Sequence, residues 1–308
     1  MSGAPPNGAG LQAELDKLQA SQDEIKTQLG ALRIALWDHT SLPKTIRDAE
    51  FKVFSQFGED GIIQYLVRKL APIPKSFIEF GVEDYRESNT RFLLLHDNWR
   101  GLIIDGSDSA IENVRRSALY WRHDLSAVSR FVDRDNINSL ISQGGLAGEI
   151  GLLSVDLDGN DYWVWERITV VDPAIVIVEY NSLFGPDRAV TIPYEPGFVR
   201  TKAHLSDLYW GASLKALCGL ADKKGYIFVG SNSAGNNAFF VRKDRSSDLR
   251  ALSAAEGYVS SMFRESKGPR GELTFVSGDA RLKLIADMPL YDFESNATIR
   301  VSELTTGR

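Results

Sequence analysis

From residue 51 onward, short apolar runs alternate with stretches in which apolar residues recur every three or four positions. That alternation predicts strands and helices in turn, and hence an α/β domain built on a mostly parallel sheet. The strands read at 76–80, 101–105, 119–123, 152–156 and 174–179, followed by an antiparallel hairpin, 226–229 with 238–242, around the Gly/Asn/Ser turn 230–237. Helices read at 58–70, 89–95, 110–117 and 204–224. The expected fold is a Rossmann-like seven-stranded sheet with helices on both faces, spanning 51–244. Residues 245–308 are less patterned, with weak strands expected near 273–276 and 282–285, and read as a C-terminal extension that caps the site or serves the acceptor. No internal repeat is present.

The N-terminal region has a different period. Residues 1–10 read as a disordered leader. Leu11, Leu15, Leu18, Gln22, Ile25, Leu29, Leu32 and Leu36 then follow alternating steps of four and three. This is a heptad seam with polar residues around it, and it predicts a coiled-coil helix over 11–37 that makes a homo-oligomer, with Gln22 fixing register. Residues 38–49 read as a linker.

Composition narrows the partners. The net charge of −6 gives no support to nucleic acid or an anionic membrane surface, and no apolar run approaches the length of a transmembrane helix. The first residues lack the basic-then-apolar pattern of a signal peptide, so a cytoplasmic protein is expected. Cys218 is the single cysteine, which excludes an internal disulfide and a cysteine-based zinc site.

Candidate chemistry sits where the strands end. In an open α/β sheet, ligands bind outside the carboxyl ends of the strands. The first strand ends in Glu79-Phe-Gly81, the second in Asp105-Gly-Ser107 and the third at Asp124. The glycine lets a ligand approach the backbone, and an acid at the second tip is a usual grip on ribose hydroxyls. Asp124 would meet an adenine amino group. Together they point to an adenosine-containing cofactor, although the Gly-x-Gly-x-x-Gly fingerprint is absent. The fourth and fifth strands end in Asp156-Leu-Asp158 and Glu179-Tyr-Asn181, an oxygen-rich set suited to Mg²⁺.

This order of acidic tips is similar to that of class I S-adenosylmethionine methyltransferases, and more closely resembles the FkbM-like methyltransferases. The resemblance rests on Asp156-Leu-Asp158-Gly-Asn-Asp161, on Val176-Ile-Val-Glu179 and on Ser55-Gln-Phe-Gly-Glu-Asp60 ahead of the first strand. It covers about residues 51–244. Two departures are the acidic stretch Val82–Glu87 in place of a glycine-rich loop, and Asp158 in place of a Glu. The resemblance implies S-adenosylmethionine as cofactor, held by Gln56, Glu79, Gly81, Asp105, Ser107, Asp124 and Asp156. It implies an O-methyltransferase in which Asp158, Glu179 and Asn181 orient the acceptor, with Asp156 as an alternative ligand, in the manner of catechol-type and macrolide-sugar enzymes that use Mg²⁺.

Of the four histidines, His204 lies in a segment expected to fold over the crevice and is the candidate base, with Asp158 as its catalytic partner. Tyr162, Trp163, Trp165, Tyr180, Phe184, Tyr194, Tyr209 and Trp210 crowd the same stretch. Aromatic faces beside acids suit a saccharide or a glycosylated metabolite. Two other readings compete. One is a nucleotide-sugar enzyme on a similar sheet, which would need a phosphate-binding loop that the acidic Val82–Glu87 stretch does not provide. The other is a non-catalytic scaffold displayed by the coiled coil.

Overall fold

A computed structural model describes residues 8–304. The chain begins with one long helix, α1 (Gly8–His39), and continues through α2 (Glu59–Leu70), β1 (Ser76–Phe80), α3 (Arg91–Asp97), β2 (Arg100–Asp105), α4 (Asp108–Arg116), α5 (Ala118–Arg122) and β3 (Leu125–Ser129). Then come α6 (Ile137–Gln143), β4 (Gly148–Val155), α7 (Asp161–Arg167), β5 (Val171–Glu179), the short β6 (Val190–Thr191) and α8 (Arg200–Ala203). The last part comprises α9 (Leu214–Lys223), β7 (Tyr226–Ser231), β8 (Asn237–Arg242), α10 (Ala254–Gly257), α11 (Asp279–Leu284), β9 (Pro289–Asp292) and β10 (Ala297–Arg300).

Seven strands form one sheet in the order β3-β2-β1-β4-β5-β8-β7. All pair in parallel except β8, which runs antiparallel to both β5 and β7. Successive residues of a strand face opposite sides, so both faces must be apolar where both are covered. In β1, Phe77 packs on the face covered by α2, α3 and α4, whereas Ile78 and Phe80 pack on the face covered by α6, α7 and α9. Strand order reverses between β1 and β4. At such a switch point the chain diverges on both sides and leaves a crevice beyond the strand ends.

The third strand differs from expectation. Residues 119–122 lie in α5 with His123 as its C-cap, and the strand is Leu125–Ser129, in register with Gly101–Asp105. As the sheet's edge it carries only modest apolar side chains, whereas the aromatic-rich 119–123 segment sits outside the sheet, with Trp121 71% exposed. The helix expected over 204–224 begins at Leu214. Left-handed Asp207 and Gly211 precede it, and the Ser213 side chain caps its start. Residues 282–285 fall at the end of α11, and 273–276 make only an isolated bridge at Leu273. The C-terminal strands are instead β9 and β10, which join β6 in a second, three-stranded sheet over a small core that includes Val190, Tyr209 and Leu290.

The stretch read as a linker buries Ile46 and Ala49 against the main core. Within α1, Ile34 packs against Val53, Phe54 and Phe92. Gly30 makes the closest approach there, because a Cβ would lie 2.7 Å from the Phe92 ring. No helix among the described residues is long and apolar enough to cross a membrane.

Candidate active site at the strand tips

A crevice of about 590 Å³ opens beyond the carboxyl ends of β1, β2, β4 and β5. Its first wall is the turn after β1. Gly81 has φ +69°, and a Cβ there would sit 1.9 Å from the Asp156 carbonyl oxygen, so the two strand ends touch only because this residue has no side chain. Glu83 and Tyr85 continue the loop in left-handed conformations, which non-glycine residues adopt at a cost of about 1–2 kcal/mol each. Hydrogen bonds hold the loop there. Asp105 at the tip of β2 accepts from Glu83 N at 2.8 Å and from Ser107 N at 2.7 Å, and Ser107 caps α4.

Glu79 also faces the crevice, but its oxygens are engaged by the chain itself. Oε1 accepts from Asn89 N, and Oε2 from the Ser88 and Thr90 hydroxyls and Thr90 N. Burial pushes its pKa up against those bonds. It is an anchor for residues 88–90 and has little capacity left for a ligand.

The segment before α2 is built in the same way. Glu59 accepts from Phe57 N and Gly58 N with one oxygen, and from the Asn232 and Asn237 amides with the other. Asp60 accepts from the backbone of Val53, Phe54 and Ser55 and from the Ser55 hydroxyl. These acids fix a turn that brings Gln56 and Phe57 to the crevice. The turn 232–237 is held by Asn232 and presents Gly235, Asn236 and Asn237 to the same space.

The carboxylates of Asp156, Asp158 and Glu179 come together, each with an oxygen within 4.8 Å of the others. Like charges this close repel one another, and Glu179 is buried as well, so a cation is favoured among them. Burial first, and the neighbouring carboxylates second, raise Asp156 and Glu179 well above the usual carboxylate range. Glu179 Oε2 is buried without a hydrogen-bond partner. Asp158 sits at the exposed rim of the cluster, on a left-handed backbone at φ +52°. Asp161 stays apart from the cluster, accepting from Leu157 N and Gly159 N to hold the turn.

Arg200 supplies a cation that the sequence did not single out. It donates to Asp158 at 2.8 Å, to Glu265 at 2.7 Å and to the Asp207 carbonyl, with its guanidinium 4.9 Å from the Trp210 ring centre. It therefore links the acidic cluster to the C-terminal extension. That extension adds Ser261, Phe263, Glu265 and Arg281 to the wall, with Phe263 stacked on Phe57. Neither arginine lies in a recognisable motif, and only the fold brings them here.

Three further expected site residues lie elsewhere or are otherwise engaged. Asp124 precedes β3 rather than ending it, so it sits at the amino end of the sheet, near Arg100 and remote from the crevice. The tip of β3 brings Phe131 and Val132 to the position expected of it. His204 does not line the crevice. Its ring bonds the Ser206 hydroxyl at 2.8 Å, and partial burial lowers its pKa. Asn181 is used by the backbone, donating to the Leu208 and Trp210 carbonyls and accepting from Leu183 N, so Asp156 replaces it in the oxygen cluster. Most of the expected aromatics are core. Tyr162, Trp165, Phe184 and Tyr209 are buried away from the cleft, and Tyr180 and Trp210 reach it.

Comparisons with known proteins are distant. No protein-family model matches the chain, and no curated protein does. Among solved structures, it is similar to an O-methyltransferase from Bacillus cereus in complex with SAH, at 13% identity and a TM-score of 0.39, over 71% of this chain and 89% of that one. It is also similar to the SAH-bound N-terminal domain of EvdMO1, at 10% identity and a TM-score of 0.38, over 61% of this chain and 80% of that one. A third is the CurJ carbon methyltransferase, at 11% identity and a TM-score of 0.38, over 78% of this chain and 71% of that one. Superpositions this loose say nothing about function, which rests on the crevice itself.

Proposed function

We propose that the chain is an S-adenosylmethionine-dependent O-methyltransferase acting on a hydroxyl of a saccharide or glycosylated metabolite. The observation that carries this reading is the charge of the crevice at the sheet's switch point. Eight of its lining side chains are carboxylates (Glu79, Glu83, Glu87, Asp105, Asp156, Asp158, Glu179 and Glu265), against two arginines. A pyrophosphate-bearing dinucleotide would be repelled there, whereas a sulfonium cofactor with a free amino group is attracted. The residues fit that cofactor. Gly81 leaves room for it against the backbone, Asp105 offers carboxylate oxygens to ribose hydroxyls, and Phe131 and Val132 offer an apolar seat for a base. Gln56 and Asn89 are amides facing the same space.

When bound, the cofactor supplies an electrophilic methyl group: the acceptor oxygen forms the new C–O bond as the C–S bond breaks, leaving a neutral thioether. The chain must then position the acceptor hydroxyl and take its proton. Asp156 and Glu179 suit that task by their place at the crevice floor, and burial beside other carboxylates makes each more basic than an ordinary carboxylate. Asp158, oriented by Arg200, would hold a second hydroxyl. Phe57, Phe198, Trp210 and Phe263 supply flat apolar surfaces against which a sugar ring can lie. The extension beyond residue 245 would form the acceptor wall.

The same three carboxylates also fit Mg²⁺, given their spacing and the unpartnered Glu179 oxygen. Such an ion would lower the hydroxyl pKa, and Asp156, Asp158 and Glu179 would hold it, with Arg200 turned away from Asp158. Calorimetric titration with S-adenosylhomocysteine, with and without Mg²⁺, tests both statements. Micromolar binding is expected. Absence of binding in either buffer refutes the methyltransferase reading and favours the scaffold.

A further inference from the structure

An amphipathic helix on a globular domain normally buries its apolar stripe, yet α1 does the reverse. It docks on the domain through Asp23, Thr27, Gly30, Ile34 and Trp37, which are at least half-buried. Gly30 and Ile34 fit against Phe92 and Val53, and Asp23 pairs with the buried Arg91 at 2.6 Å. The heptad seam lies about 130° further round the helix. Leu11, Leu15, Leu18, Ile25, Leu29, Leu32 and Leu36 are all 50–63% exposed. A monomer rarely leaves so long an apolar strip in water.

We infer that this seam pairs with the same seam of a second copy of the chain in a parallel two-stranded coiled coil. The occupant follows from the pattern. A 3–4 spacing repeated from Leu11 to Leu36 interlocks with an identical helix, side chain into gap, better than with a flat surface. The area is sufficient. Each seam residue exposes about 100 Å², giving ~1,400 Å² over two copies, within the 1,200–2,000 Å² of stable interfaces. The flanking positions Glu14, Lys26, Gln28 and Arg33 are exposed and Gln19 is partly so, and in parallel register they set no like charges opposite each other. Gln22 decides direction. Parallel and in register, its amide meets the partner copy's amide, and the two can bond each other. In the antiparallel arrangement centred on the seam it would face Ile25 of the partner subunit, leaving a polar group unsatisfied. The docking face stays on its own domain, so pairing needs no rearrangement of the fold.

Sedimentation equilibrium of the full chain tests this. Twice the mass of one chain is expected at micromolar concentration, and a monomer or a trimer overturns the inference. Ile25→Asp with Leu32→Asp should yield a monomer with unchanged S-adenosylhomocysteine affinity and an unchanged domain unfolding transition. A persistent dimer would overturn the assignment of the seam. For direction, Gln22→Cys in a Cys218→Ala background should crosslink to a disulfide dimer under mild oxidation. An intact dimer that does not crosslink would refute the parallel register.

Discussion

Replacing Asp105 by Ala removes two things at once. The carboxylate leaves the crevice, and the backbone N–H groups of Glu83 and Ser107, now bonded at 2.8 and 2.7 Å, lose their acceptor. Both donors lie at the surface, so water can replace the lost bonds, and the folding cost should stay near ~1 kcal/mol. Binding suffers more. A hydrogen bond to a charged group contributes about 1.5–3 kcal/mol, and the half-exposed site argues for the lower part of that range. With a looser 82–90 loop, the sum is about 1.6–2.7 kcal/mol, or roughly 15- to 100-fold in affinity. Calorimetric titration with S-adenosylhomocysteine measures it, alongside Asp105→Asn, which keeps one acceptor oxygen and should fall between. Asp124→Ala is the control, because that side chain lies at the far end of the sheet and should bind as the parent does. A cofactor role for Asp105 is refuted if Asp105→Ala binds within twofold of the parent while Asp124→Ala weakens binding.

His204→Ala should leave turnover within about threefold of the parent once an acceptor is found, because the imidazole is outside the crevice and general-base removal typically costs 10²–10⁴-fold. A hundredfold loss would restore it as the base. Asp23→Ala strips the ion-pair partner from Arg91, which also donates to the Tyr85 carbonyl in the cofactor-side loop. We expect a loss of about 2 kcal/mol in urea unfolding together with weaker S-adenosylhomocysteine binding, and unchanged binding would separate α1 from the loop. Burial raises Asp60 from an ordinary 3.8 to about 6, so the folded state holds that proton more tightly than the unfolded chain does. The stability this confers is present in acid and is lost as pH rises from about 4 through 6, amounting to ~2–3 kcal/mol. Relative to Asp60→Asn, whose side chain does not titrate, the parent should lose that much between pH 4 and 7. A constant difference would show that the four donors on Asp60 outweigh its burial.

The long, strongly apolar strands were legible because strands covered on both faces need continuous apolar residues, and β1, β2, β4 and β5 all have them. The edge strand β3 was not, since Leu-Ser-Ala-Val-Ser carries a weaker signal than the aromatic helical turn before it. That slip carried Asp124 with it. A strand tip shifted by a few residues moves a side chain from one end of the sheet to the other. His204 lies outside the crevice for a related reason. A helix expected through His204 is broken by left-handed Asp207 and Gly211, which the apolar spacing does not report.

Periodicity and strand-tip chemistry alone indicated the α/β sheet, the heptad helix and an oxygen-rich set at the fourth and fifth strand tips, in which Asp158 and Glu179 were expected to act with Asn181 rather than Asp156. Each depends on residues close together in the chain, where spacing constrains geometry. Tertiary structure decided which of those acids remain available. Glu79 is consumed by residues 88–90, Asn181 by two carbonyls, and Glu59 by a turn more than 170 residues away. It alone placed Arg200 and the C-terminal extension at the crevice and turned the apolar seam of α1 outward. Hydrogen-bond partners and exposed faces depend on long-range packing, and a local pattern does not encode them.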